Sequence, residues 1–127
     1  MEPNEDPVEA VLREIFEETG LVSKISKIPN ATTLHFDYPE IIEPPRHILI
    51  EDIDDPKDGH HQHIDMIYYC YPVDGIMDLL PGWSLFSYEL LENALKVHQL
   101  GKEHLDPSIY PPLDVLTLGV DAIGATI

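Results

Sequence analysis

The sequence predicts an α/β domain, and two kinds of apolar pattern support that class. Some segments repeat their apolar residues at helical spacing, whereas others alternate apolar and polar residues as half-buried strands do. With 127 residues the chain is long enough for one domain with one hydrophobic core, and we expect a single domain over residues 1–127. The predicted elements are helices at about 7–19, 88–97 and 116–127, and strands at 21–28, 32–38, 46–53 and 64–70.

The first predicted helix has clear signals at both ends. Asp6 is a good N-cap, Pro7 suits the first turn, and Glu9 stands three residues after the cap, as in a capping box. Gly20 is a typical C-terminal stop. Between these signals a single apolar stripe indicates a face that packs on a core, and it consists of Val8, Val11, Leu12, Ile15 and Phe16.

The opposite face of this helix is strongly acidic. Glu14, Glu17 and Glu18 stand at i, i+3 and i+4, where side chains meet on a helix surface. The like-charge pair Glu14 and Glu18 costs a few tenths of a kcal/mol, while Arg13 can pair with Glu17. Two interpretations are open from the residues: a solvated, partly salt-bridged face, or a site for a hard divalent cation such as Mg²⁺, which takes oxygen ligands.

The same stretch, residues 5–21, resembles the Nudix hydrolase signature. That signature is a glycine, five residues, a glutamate, seven residues, and then Arg-Glu-aliphatic-any-Glu-Glu-any-Gly-aliphatic. The opening glycine would fall two positions before Met1, and every later position is matched. The matching residues are Glu5, Arg13, Glu14, Ile15, Glu17, Glu18, Gly20 and Leu21.

The resemblance implies a fold as well as a motif. We expect a Nudix-like α/β/α sandwich with a mixed β-sheet, lacking the N-terminal strands that precede the signature helix in the family. A sheet without those strands would have unpaired edges, which favour association with another copy. We therefore expect a homo-oligomer, or a chain with weak activity.

The implied activity is hydrolysis of the diphosphate linkage in a nucleoside diphosphate derivative by a metal-activated water. The resemblance makes Mg²⁺, or Mn²⁺ in its place, the expected cofactor. It assigns Glu14, Glu17 and Glu18 as metal ligands and Glu14 also as the candidate general base. Arg13 would orient the glutamates, with Glu5 and Gly20 in supporting roles. The substrate is not identified by this sequence.

Two alternatives to hydrolysis are open from the sequence. One is a non-catalytic Nudix-like binding or regulatory module. The other is an isopentenyl diphosphate isomerase, which usually has a catalytic cysteine; it ranks last because Cys70 lies within a predicted strand. Asp74 or Asp78 could add an acidic ligand, since in the family the corresponding loop often does so.

The amino-acid composition limits the kinds of molecule that the chain can bind. The chain has 24 acidic and 7 basic residues and a formal net charge of −17, which argues against binding a nucleic acid polymer or an anionic membrane. A small phosphorylated substrate would bind where cations neutralise the carboxylates. A single cysteine excludes an internal disulfide, and no apolar run reaches the length of a membrane span. We expect a cytoplasmic protein.

Two further clusters could bind metal. The Asp-rich loop 54–59 does not have the ligand order of an EF-hand, which favours a solvated loop. His61 and His63 at i, i+2 would lie on one side of a strand and could chelate an ion, although no Cys/His set elsewhere completes a tetrahedral zinc site. His63 and Asp65 also resemble a His and Asp pair that often introduces a strand after the signature helix.

Overall fold

A computed structural model describes residues 2–29, 34–75, 78–99 and 110–126. They form two compact units, one up to Pro81 and one from Gly82. The predicted α/β class is confirmed, and no helix in these ranges is long and apolar enough to cross a membrane. The elements are α1 (Pro7–Thr19), β1 (Ser23–Ile25), β2 (His47–Asp55), β3 (Gly59–Ile67), β4 (Cys70–Pro72), α2 (Tyr88–Gln99) and α3 (Leu113–Thr126).

Helix α1 begins and ends where the sequence predicts. Asp6 Oδ1 accepts a hydrogen bond of 2.7 Å from the backbone N–H of Glu9, and the N–H of Gly20 donates to the carbonyl of Phe16 at 2.9 Å. The predicted apolar stripe is less buried than expected: Ala10 is the buried residue of the helix, and Phe16 is 55% exposed. In the first unit α1 packs mainly against the short strand β1.

The described strands form two antiparallel ladders. Strand β1 pairs with β4, with Lys24 opposite Tyr71, and β2 pairs with β3 as a hairpin. The described ranges therefore contain no parallel pair of the kind that a mixed sheet includes. Strand β1 is shorter than the predicted segment 21–28, because β4 offers it a partner of three residues.

The prediction of a strand at residues 32–38 is wrong for the residues that the structure describes. Residues 34–38 form no strand, and residues 32–33 lie outside the described ranges. Leu34, Phe36 and Tyr38 are all exposed, so the alternation that suggested a half-buried strand is not matched by burial on either face.

The predicted central strand 64–70 is divided between the two ladders. Strand β3 ends at Ile67 and β4 begins at Cys70, and between them Tyr69 turns inward and is buried. The Tyr69 hydroxyl lies 3.1 Å from Nε2 of His47, and the Arg46 guanidinium stacks over its ring at 5.6 Å from the centroid. These contacts anchor Tyr69 and explain why one apolar run contributes strands to two separate sheets.

The hairpin β2–β3 turns at the Asp-rich loop. Asp55 Oδ1 accepts a hydrogen bond of 2.7 Å from the N–H of Lys57, and Gly59 adopts a φ of 73°. The acidic loop is thus used as a tight turn. One face of the hairpin carries exposed aliphatic cross-strand pairs, Ile48 with Met66 and Ile50 with Ile64.

The second unit is a pair of helices. Ser87 Oγ accepts a hydrogen bond of 3.2 Å from the N–H of Leu90, so Ser87 caps the start of α2. A Cβ on Gly119 would lie 3.1 Å from Cδ1 of Leu91, so glycine permits the two helices to approach closely. Trp83 lies in the segment before α2 and outside any strand. The core consists of Leu91, Ala94 and Leu116, with Phe86, Tyr110, Val120 and Ile123 packed around it.

Candidate active site

Arg13 joins the start of the chain to the acidic face of α1. Its Nε donates to Glu5 Oε2 at 2.7 Å and its Nη2 to Glu5 Oε1 at 3.1 Å, a two-point interaction that suits the planar guanidinium. Its Nη1 donates to Glu17 Oε2 at 2.9 Å, and Glu14 Oε1 lies 3.6 Å from Nη2. Arg13 therefore contacts three of the four glutamates that the sequence selects.

The ion pair determines the charge of Glu5. The hydrogen bond from Arg13, helped by the backbone N–H of Glu2, lowers the pKa of the Glu5 carboxyl from 4.5 to about 2. The same pairing with Glu5 raises the pKa of Arg13. The Glu5 side chain is 12% exposed, against 57% for Glu17. Glu5 thus holds Arg13 in place, whereas Glu17 is open to solvent.

The carboxylates Glu14, Glu17 and Glu18 all lie on the exposed side of α1. Within the described ranges no three His, Cys, Asp or Glu side chains are grouped closely enough to hold a metal ion. The oxygen donors themselves fit a hard cation.

Gly20 has a backbone role at the end of the helix. Its φ of 81° is left-handed, a conformation that costs other residues about 1–2 kcal/mol. A Cβ at this position would lie 3.1 Å from Cγ of Leu80, whose N–H donates to the Thr19 carbonyl at 3.0 Å. The signature glycine therefore ends α1 and allows the loop at Leu80 to close on the helix end.

A groove of about 460 Å³ separates α1 from β3. Glu14 on the helix and Asp65 on the strand both line it, so two carboxylates border a space large enough for a small ligand. The sequence does not predict Asp65 as a catalytic or metal-binding residue. It shows only that His63 and Asp65 resemble the His and Asp pair that often introduces a strand after the signature helix. The remaining lining residues are mainly apolar: Pro7, Ala10, Val11, Ile64, Met66, Ile67 and Tyr68.

The other sequence candidates have different surroundings. Asp74 and Asp78 are exposed and are not among the residues that line this groove. Cys70 is partly buried, and burial raises the pKa of its thiol to about 11. A thiol that remains protonated at neutral pH is a poor nucleophile, which disfavours the isomerase alternative.

Fold and site together define an α/β protein with a carboxylate-bearing helix beside a ligand-sized groove. A family model described as the NUDIX domain matches residues 1–104, and the chain therefore belongs to the Nudix family. The family relation identifies it as a hydrolase of the Nudix type, which implies a small phosphorylated substrate. No curated protein and no solved structure matches the chain significantly.

Proposed function

We propose that this protein is a Mg²⁺-dependent hydrolase that cleaves the diphosphate linkage of a nucleoside diphosphate derivative. The observation that carries the proposal is the position of Glu14: it belongs to the signature and lines the groove together with Asp65. The family match supports the reaction class.

The acidic face of α1 is where the cation would be held. Glu14, Glu17 and Glu18 supply oxygen ligands one helical turn apart, and Mn²⁺ could replace Mg²⁺ in the same set. When bound, the ion would lower the pKa of a water molecule and neutralise charge on phosphoryl oxygens. This would also relieve the repulsion between Glu14 and Glu18.

The remaining residues position the reactants. Arg13, held by Glu5, limits the directions in which Glu17 can point. Glu14 borders the groove, which supports the proposal that its carboxylate accepts a proton from the attacking water. Tyr68 and Met66 line the groove and would contact the less polar nucleoside part of the substrate.

A non-catalytic binding module is the second candidate. Two observations favour it. Glu17 accepts a hydrogen bond from Arg13, and within the described ranges no three potential ligands are grouped closely enough to hold a metal ion. Such a protein would bind a nucleoside diphosphate derivative in the groove without turning it over. Binding without product formation would distinguish this function from hydrolysis.

The test is a hydrolysis assay with a panel of compounds in the presence and absence of Mg²⁺. The panel should include ADP-ribose, dinucleoside polyphosphates, nucleotide sugars and nucleoside triphosphates. We expect Glu17→Gln and Glu18→Gln to reduce Mg²⁺-dependent release of phosphorylated products by about 100-fold or more, as loss of charge stabilisation in a transition state typically does. Glu89→Gln, on the exposed surface of α2, is the matched control and should retain wild-type activity.

Two results would contradict hydrolysis at this site. One is wild-type turnover in both Glu17→Gln and Glu18→Gln. The other is the absence of turnover with every compound while calorimetry detects binding, which would support the binding module instead. Circular dichroism of each variant should match the wild type, because both side chains are exposed and a conservative amide should leave α1 folded.

A further inference from the structure

Two histidines on the hairpin form a pair that the hydrolase function does not use. His61 and His63 stand two residues apart on β3, so their side chains lie on the same face of the strand. Their ring centroids are 5.0 Å apart and the ring planes are tilted by 55°. Adjacent imidazoles at this separation can direct one nitrogen each toward a common point.

The separation agrees with shared coordination of one ion. A zinc-to-nitrogen distance of about 2.0–2.1 Å places each ring centroid about 3.2 Å from the metal. Two such rings have centroids about 5.2 Å apart at a tetrahedral angle and about 4.5 Å apart at a right angle. The observed 5.0 Å lies between these two values, so the spacing of the two rings is compatible with both binding one ion.

A second observation concerns Nδ1 of His61, which is not the nitrogen proposed to face the ion. This atom lies 3.1 Å from the carbonyl oxygen of Gly59. A histidine that binds metal through one nitrogen usually donates its other N–H to a carbonyl or carboxylate, which fixes the tautomer and orients the ring. The turn at Gly59 therefore leaves Nε2 of His61 as the nitrogen available to a metal.

The charge around the pair favours a cation. Glu51 is directly opposite His63 in the ladder, and opposed residues of an antiparallel pair share a face. Asp65 is two residues further along the same strand and so lies on that face too. Two carboxylates flanking His63 would attract a divalent ion.

We propose that His61 and His63 form a binding site for a divalent transition metal ion such as Zn²⁺, distinct from the glutamates of α1. Imidazole ligands suit Zn²⁺, Ni²⁺ and Cu²⁺, whereas Mg²⁺ prefers oxygen. In the described part of the chain no third His, Cys, Asp or Glu completes the set. Within those described residues the site is open, and its other coordination positions would be taken by water or an external ligand, unlike a structural zinc site.

The test is calorimetric titration of the protein with ZnCl₂ in excess Mg²⁺, which occupies oxygen sites. We expect saturable binding of one Zn²⁺ per chain that weakens at least about tenfold in His61→Gln and in His63→Gln. His60→Gln is the matched control: His60 neighbours His61 on the opposite face, with Nε2 3.9 Å from Asp52, and the variant should bind Zn²⁺ as the wild type does.

Imidazole NMR signals supply an independent readout in the wild-type protein. Zn²⁺ should shift the ring signals of His61 and His63 and leave those of His60 unchanged. The proposal is overturned if millimolar Zn²⁺ produces no saturable binding, or if both variants bind Zn²⁺ as tightly as the wild type. An unchanged amide spectrum in the variants will exclude misfolding, which exposed hairpin substitutions are not expected to cause.

Discussion

At the level of single residues, Arg13 is the organising side chain of the acidic helix. Its fork engages Glu5 at two points and Glu17 at one, and it lies near Glu14. The cation thus offsets part of the repulsion that three glutamates on one face create. A lysine could not make the same set of contacts, because it lacks the planar arrangement of several N–H donors.

The ion pair of Glu5 makes a prediction about acid stability. A carboxyl with a pKa of 4.5 when unpaired and about 2 when folded stabilises the protein above pH 4.5, and that stabilisation is lost as the pH falls toward 2. We expect Glu5→Gln to flatten the dependence of the free energy of unfolding on pH between 4.5 and 2. Urea unfolding followed by far-ultraviolet circular dichroism at several pH values will measure this.

A control for this experiment is Glu89→Gln, since Glu89 is exposed in the second unit. Its pH dependence should match that of the wild type. If Glu5→Gln retained the full acid sensitivity of the wild type, the Arg13 contact would not be the source of that stability.

At the level of elements, the helices are defined by local interactions and the strands by distant ones. Helix α1 contains both of its end signals, Asp6 and Gly20, and α2 is capped by Ser87. Strand β1, in contrast, depends on β4, with Ser23 paired to Pro72 far along the chain, and the hairpin depends on the pairing of β2 with β3. The exposed aliphatic pairs of the hairpin show that pairing, rather than burial, defines it in this chain.

The pairing of α2 and α3 depends on one residue in particular. Leu116 is fully buried at 0% exposure, so truncation to alanine should leave a cavity. We expect Leu116→Ala to lower the free energy of unfolding by about 2–5 kcal/mol. Trp83 is the single tryptophan and belongs to the second unit, so its fluorescence during urea unfolding will report on this unit.

Leu113→Ala is the matched control, because Leu113 lies on the same helix but is 45% exposed. It should cost much less than Leu116→Ala. Equal losses in the two variants would mean that burial in the α2–α3 core does not determine the stability of this unit.

At the level of the whole molecule, net charge and exposed apolar surface act in opposite directions. The charge of −17 separates copies of the chain at low ionic strength. The hairpin presents an aliphatic face on which Ile64 is 70% exposed, and burial of such a face against a second copy would be favourable. We propose that the protein self-associates through this face at Ile48 and Ile50, which lie outside the residues that line the groove.

This proposal predicts that association increases with salt, since salt screens the repulsion. Ile50→Lys should shift the protein toward the monomer even though it reduces the net negative charge, so the change can be assigned to the lost apolar contact. Size-exclusion chromatography with light scattering at low and high NaCl will measure the mass.

The matched control for charge is Glu89→Gln on α2, which also makes the net charge less negative by one unit and should not weaken association. A protein that remains monomeric at high salt, or an Ile50→Lys variant that associates like the wild type, would contradict an interface on this face.

The sequence by itself determined the helices, their caps and the family. Backbone hydrogen bonds in a helix join residues four apart, so Asp6, Pro7 and Gly20 carry nearly all the information that places α1. The order of Arg13, Glu14, Glu17 and Glu18 was sufficient to indicate the Nudix signature, which the family match confirms.

The tertiary structure alone decided which strands pair and which residues line the groove beside α1. The division of residues 64–70 at Tyr69 depends on contacts with His47 and Arg46, more than 20 residues earlier. The position of Asp65 at the groove that Glu14 also lines likewise follows from how distant segments come together, whereas the pairing of Arg13 with Glu17, four residues later, follows from the helix alone. The periodicity of the sequence predicts contacts between neighbouring residues of a helix but not contacts between distant segments. For that reason the site was only partly predictable.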